Sequence, residues 1–209
     1  MHGRSSKPIT WCGRLLVGIA LLFGAVSSSL AQADDVETIR KHMDHLRPLA
    51  GSWSADYEFH DKDGTIDVEP GTFIVSWVLD DSYLQVQAEH HRRDNPRRHR
   101  AYTTFITYDP VTKKYVCTYF YGRSSLRVTE DGLFDEQTSE LRTSALIPLE
   151  DGKRDERVRN IFSLSGTDSL TLLHYNQYSD EPGERLQLVI KLRRSEPGTK
   201  SGGQAERHS

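Results

Sequence analysis

The chain has 209 residues, with 27 Lys+Arg against 30 Asp+Glu and a formal net charge of -3. Residues 1–33 hold three basic residues and no acidic one, so the remainder carries -6, a sign that argues against nucleic acid as a partner. With that segment and a polar tail set aside, about 160 residues are left, which suits one domain with a single core.

The first 33 residues run from a basic lead (Arg4, Lys7, Arg14) through an apolar stretch from Leu15 to Val26 to small residues ending Ala31-Gln32-Ala33. That order is a secretory signal peptide over residues 1–33, and it implies a periplasmic or secreted mature protein. The apolar stretch is about 12 residues, too short to cross a bilayer as a helix. Cys12 precedes the stretch and so does not stand where a lipid-attachment cysteine would. Cleavage leaves Cys117 alone, so no intrachain disulfide can form and the thiol reads as a small buried apolar group.

Between Asp34 and Leu49, apolar residues Val36, Ile39, Met43 and Leu46 recur at intervals of three and four, and Pro48 closes the pattern. This predicts one amphipathic helix. His42 and His45 lie within metal-ligand reach on such a helix, but no carboxylate or cysteine accompanies them at suitable spacing, and no metal is expected.

The rest of the chain to Arg194 reads as about ten short strands with turn residues every 8 to 15 positions. Trp53, Ala55, Tyr57 and Phe59 alternate with polar residues, and Asp61-Lys62-Asp63-Gly64 turns the chain. The return strand, Thr65 to Leu79, contains Pro70-Gly71, which predicts a bulge or sharp bend. Strands follow over Tyr83 to His90, Tyr102 to Tyr108 and Lys114 to Tyr121. Ser124 to Thr129 reads as another, followed by a turn at Glu130-Asp131-Gly132 and a short Leu133-Phe134. Four more segments complete the set: Glu140 to Ile147, Glu156 to Leu164, Ser169 to Tyr178 and Arg185 to Arg194. No helical pattern intervenes, so the strands form an antiparallel meander. Residues 34–194 are therefore one all-β barrel domain with one N-terminal helix across an open end or on its outside, and residues 195–209 a disordered tail.

Two stretches stand out. Residues 90–100 place five arginines and three histidines in one loop, which can act as a charged hairpin tip or meet an anionic surface. Tyr102, Tyr119 and Tyr121 belong to an aromatic centre able to line a cavity with apolar rings and polar hydroxyls. Glu89, Arg123, Arg127, Arg159 and His174 are the candidate interior polar groups, since each lies in a strand or at its end. Phosphate-loop, Cys-x-x-Cys, zinc-helix and nucleophile-elbow motifs are absent, and no cofactor is implied.

The Leu-x-x-Leu-x-Gly-x-Trp stretch ending at Trp53, the turn from Tyr108-Asp109-Pro110 to Lys113-Lys114-Tyr115, and a basic end to the last strand resemble the exported bacterial proteins of the DUF1579 family over roughly residues 42–194. That family is similar in fold to lipocalins and other calycins, which implies a calycin-like barrel with an internal cavity. The resemblance further implies a structural set of Gly51, Trp53 and an arginine of the last strand, Arg193 or Arg194, packed on the indole. The leading expectation is reversible binding of a small apolar or amphipathic molecule by Tyr102, Tyr119, Tyr121, Arg127 and His174. Two others stand beside it. One is a haem protein or enzyme using His174 with Glu89 or an arginine, and the other an envelope interaction module working through residues 90–100.

Overall fold

The computed structural model describes residues 35–92, 99–122, 127–148, 155–164 and 166–195. Residues 1–33, expected to be a signal segment, Arg123, residues 93–98 of the basic loop and the tail beyond residue 195 lie outside the described residues. The chain divides into units 1–38 and 39–209, and of the first only residues 35–38 are described, as helix.

Ten strands follow in chain order: β1 (Gly51–His60), β2 (Ile66–Val78), β3 (Tyr83–His91), β4 (His99–Asp109), β5 (Lys114–Tyr121), β6 (Arg127–Asp135), β7 (Glu140–Pro148), β8 (Asp155–Ser163), β9 (Ser169–Tyr178) and β10 (Arg185–Arg194). Each pairs antiparallel with its neighbours, and β10 returns to β1, so the sheet is a closed barrel. Alternation along each strand then decides which residues face inward. On β1 these are Trp53, Ala55 and Tyr57, all buried, opposite Phe73, Gly71 and Glu69 of β2.

Two turn-like signals are absorbed into strands. Pro70-Gly71 lies within β2, whose pairing to β1 runs through it without a register shift and whose pairing to β3 begins at Gly71, so no bulge interrupts the β1–β2 ladder there. The shift that does occur is in β10, between Leu186 and Leu188. Glu130-Asp131-Gly132 is the middle of β6 rather than a turn. Gly132 is needed because β7 comes close: a Cβ at this position would stand 1.9 Å from the Arg142 carbonyl oxygen. A glycine there signals close approach of the neighbouring backbone.

The floor of the barrel is built by residues 39–49, α-helical to residue 43 and 3-10 over Asp44–Leu49, with Pro48 inside the last turn. Met43, Leu46 and Leu49 are buried in one cluster with Trp53, Leu84, Ile106, Tyr115, Leu141 and Leu192. The helix thus takes the first of its two expected positions, across an end. His42 stacks on Tyr108 with ring centroids 3.8 Å apart, and His45 stacks on Phe134. Both histidines are therefore packing groups.

The arginine on the tryptophan is Arg194, not Arg193. Register explains the choice, since Trp53 pairs with Arg194 and shares its inward face, while Ser54 pairs with Arg193. The Arg194 guanidinium lies 4.2 Å from the Trp53 ring centroid and donates to the carbonyls of Pro48, Ala50 and Thr167. Gly51, at φ 134°, is where a Cβ would come within 2.6 Å of that guanidinium. Trp53 itself donates from Nε1 to the Leu49 carbonyl at 2.8 Å, tying helix end to strand start. Arg193 points outward to Asp56.

Replacing Arg194 by Ala is expected to cost about 2 kcal/mol, because a cation–π contact and three hydrogen bonds to carbonyls go together. Arg194→Lys should restore less than half of that, since an ammonium cannot reproduce the planar fork. Arg193→Ala should stay within about 0.5 kcal/mol, as an exposed ion pair does. Urea denaturation of the three variants checks the ranking.

Candidate functional site

Above this floor the barrel interior is not filled. A cavity of about 430 Å³ lies in the half away from the 3-10 turn, within the size range of small-molecule sites. Its walls are apolar on one side, with Leu172, Leu188 and Ile190 from β9 and β10, and aromatic on the other, with Tyr102, Tyr119 and Tyr121 from β4 and β5. Tyr102, Tyr119 and Tyr121 meet there because Tyr102 pairs with Tyr121 and Thr104 with Tyr119 across the β4–β5 ladder, all on the inward parity. Burial raises all three phenols above their ordinary titration range, so they stay neutral.

Polar groups converge at the inner end. Glu130 is only 2% exposed, yet its carboxylate is surrounded by donors. Asn160 Nδ2 reaches both oxygens at 2.8 Å, Thr143 Oγ1 lies 2.5 Å from Oε2, and the Tyr119 hydroxyl lies 3.4 Å from the same oxygen. Desolvation raises the Glu130 carboxyl above its usual range, and the three hydrogen-bonding partners oppose that rise. These residues assemble because Cys117 pairs with Glu130 across β5–β6, Thr143 with Asn160 across β7–β8 and Asn160 with His174 across β8–β9.

The last link fixes the state of His174. Its Nδ1 is 2.8 Å from Asn160 Oδ1, and the Asn160 amide hydrogens are already committed to Glu130. A carbonyl oxygen only accepts, so Nδ1 carries the proton and Nε2 keeps its lone pair. Among the described residues Nε2 has no hydrogen-bond partner, and it is not one of the sealed polar atoms. His174 lines the cavity, so that lone pair is available to an occupant. Burial lowers the imidazole from 6.5 to about 4. Such a group is a good neutral acceptor and a weak general base at neutral pH.

The mouth carries a second pair. His90, expected where the third strand meets the basic loop, lies within β3 facing inward, stacked on Tyr57 and 2.6 Å from Glu69 Oε2, with both side chains nearly sealed. Arg100, paired with His90 across the β3–β4 ladder, lines the opening.

The remaining expected site residues point elsewhere. Arg127 pairs with Phe120 on the outer, exposed face, so it is not a lining residue. Arg159 also faces out, where it pairs with Glu184 and stacks on Tyr175 at 4.2 Å. Glu89 is exposed and cannot partner His174. Glu130 and Asn160 were not expected. The acidic Glu130-Asp131-Gly132 sequence imitates a turn, although the alternation of Val128, Glu130, Gly132 and Phe134 against Arg127, Thr129, Asp131 and Leu133 was the signal that placed Glu130 inside.

A larger groove of about 660 Å³ runs along the outside of β6 and β7 past Leu133 and Arg142. Lys114 pairs with Asp131 and Arg142 with Asp135 along it, and Arg142 also reaches Glu140 beside it. Among the described residues no group of three or more His, Cys, Asp or Glu side chains is placed to hold a metal ion.

The S-type phycobiliprotein lyase CPES from Guillardia theta aligns over 75% of this chain and 92% of its own, at 10% identity and a TM-score of 0.51. A redesigned beta barrel aligns over 71% and 93%, at 15% identity and a TM-score of 0.37. No curated protein matches the sequence. The family model described as a protein of unknown function, DUF1579, spans residues 38–193, from the helix through the penultimate residue of the last strand, and the chain belongs to that family.

Proposed function

We propose that the barrel binds a small amphipathic molecule reversibly in the cavity between the tyrosine and leucine walls. One observation carries the reading: an open interior with apolar walls ends on a single polar cluster whose outermost atom, His174 Nε2, is unsatisfied by the described residues. Filling such a space removes apolar surface from water at roughly 25 cal/mol per Å², and one directed hydrogen bond selects the orientation. The fold of the phycobiliprotein lyase agrees with a barrel of this kind and assigns no ligand to this chain. Export directed by residues 1–33 belongs to the same proposal, and N-terminal sequencing of the mature protein tests it.

The test is titration with the neutral fluorophore N-phenyl-1-naphthylamine. Unmodified protein should bind it with an apolar-environment emission shift, and Leu188→Trp, which puts an indole into the cavity, should weaken binding at least about ten-fold. Leu146→Ser, on the exposed outer face, should leave binding unchanged. Equal affinity in all three proteins would place the probe outside the barrel and overturn the reading.

His174 also predicts a pH dependence. Folded, it titrates at about 4 instead of 6.5, so between those values the unfolded chain holds the extra proton. Its contribution to stability is therefore full above about pH 6.5 and lost as the pH falls towards about 4, in total on the order of 3 kcal/mol. Glu130, shifted upward, contributes with the opposite sign, so the comparison needed is with a variant. His174→Gln keeps a donor for Asn160 and should lose stability less steeply than unmodified protein over that window, as read by urea denaturation at successive pH values.

A further inference from the structure

The cavity's polar end is one-sided in its chemistry. Its groups form a chain of donors that starts at Thr143 and Tyr119, converges on Glu130, and returns through Asn160 to His174. Every proton in that chain is committed toward the carboxylate or toward Asn160 Oδ1, and the group left facing the cavity is an acceptor lone pair. An occupant reaching this point must therefore bring the donor.

Charge narrows the class further. Glu130 lies behind His174, linked to it through Asn160, while Glu156, four residues from Asn160 along β8, lines the cavity beside Asn176. A carboxylate head at the inner end would meet the like charge of Glu130 in a poorly hydrated space and find no proton on Nε2. An ammonium head would give up its hydration for a single neutral acceptor, which is also costly. A hydroxyl, phenol or neutral N–H loses little on desolvation and gains the hydrogen bond.

Resting on the cavity-binding reading above, we propose that the barrel selects neutral amphiphiles with a hydrogen-bond donor, such as long-chain alcohols or phenols, seating the donor on His174 Nε2. The apolar body lies against Leu172, Leu188 and Ile190, and the far end of the molecule points to the mouth at Arg100. Selection is by the direction of one hydrogen bond, since an otherwise identical molecule without the donor leaves the lone pair unsatisfied.

The experiment is displacement of N-phenyl-1-naphthylamine from the full mature chain by 1-decanol, decyl methyl ether and decanoate. Decanol should displace the probe at about five- to ten-fold lower concentration than the ether, the worth of one buried hydrogen bond, and decanoate should be weakest. Equal potency of alcohol and ether, or decanoate strongest, overturns the donor rule while leaving the cavity reading intact. Failure of the probe to bind at all overturns both. In His174→Phe the ether should still compete while the advantage of the alcohol disappears.

Nitrogen NMR of the unmodified protein supplies a check that does not depend on how the variant folds. The His174 ring should show a protonated Nδ1 and a bare Nε2, and decanol should move the Nε2 resonance to lower frequency as it accepts a hydrogen bond. A protonated Nε2 in the free protein, or a bare Nε2 unmoved at decanol concentrations that displace the probe, overturns the assignment.

Discussion

Closure of β10 on β1 is the constraint from which the rest of the structure follows. In an antiparallel barrel a one-residue slip at any seam turns a whole strand inside out, so the pairing at the last seam fixes the inner set of both strands it joins. Here the seam is held by Trp53 and Arg194, which lie opposite each other, and by guanidinium hydrogen bonds that reach the helix end and the β8–β9 loop. One side chain thereby ties three separate pieces of chain at the floor. With the floor occupied by helix and indole, apolar packing is complete in that half and the opposite half is left open.

The open half contains groups that a barrel built only for stability would not choose. A carboxylate that is 2% exposed carries a desolvation cost that an apolar residue of the same size avoids, and only its donors keep the cost tolerable. Four strands, β5 to β8, contribute to that arrangement, and β9 adds the histidine at its end. Buried polar networks of this sort fix geometry because each member has one satisfactory arrangement. Placed at the bottom of a cavity, the network orients His174 and sets its tautomer. The protein thus spends stability where a ligand would need direction.

Much of the architecture was legible in the sequence. Trp53, Ala55, Tyr57 and Phe59 showed the inward parity of β1, and turn residues between strands gave nearly every other segment. The tyrosines and His174 were visible as strand residues, but Phe120 between Tyr119 and Tyr121, and Leu173 beside Leu172, make both faces of β5 and β9 apolar, so alternation alone did not assign their side. The failures have a common physical cause. Glycine, proline and acidic residues signal turns through local conformation, whereas Gly71 and Gly132 are present because neighbouring atoms come too close for a side chain. That contact is made by a different strand and leaves no local trace. Arg193 and Arg194 differ by one position, so only the register at the β1–β10 seam could choose between them. Arg127 lies on the outer face for the same reason, and Glu130 and Asn160 became a pair only through Thr143, which neither adjoins in sequence.

The most direct measurement of the central claim, that the half of the barrel above the floor is a binding site, is a methyl-resolved NMR titration with 1-decanol. Saturable shifts are expected at Val128, Leu172, Leu188 and Ile190, which line the cavity, with Leu46, Leu84 and Ile106 in the packed floor unaffected. Shifts confined to Leu133 and Leu146 on the outer face, or none at saturating decanol, would contradict it.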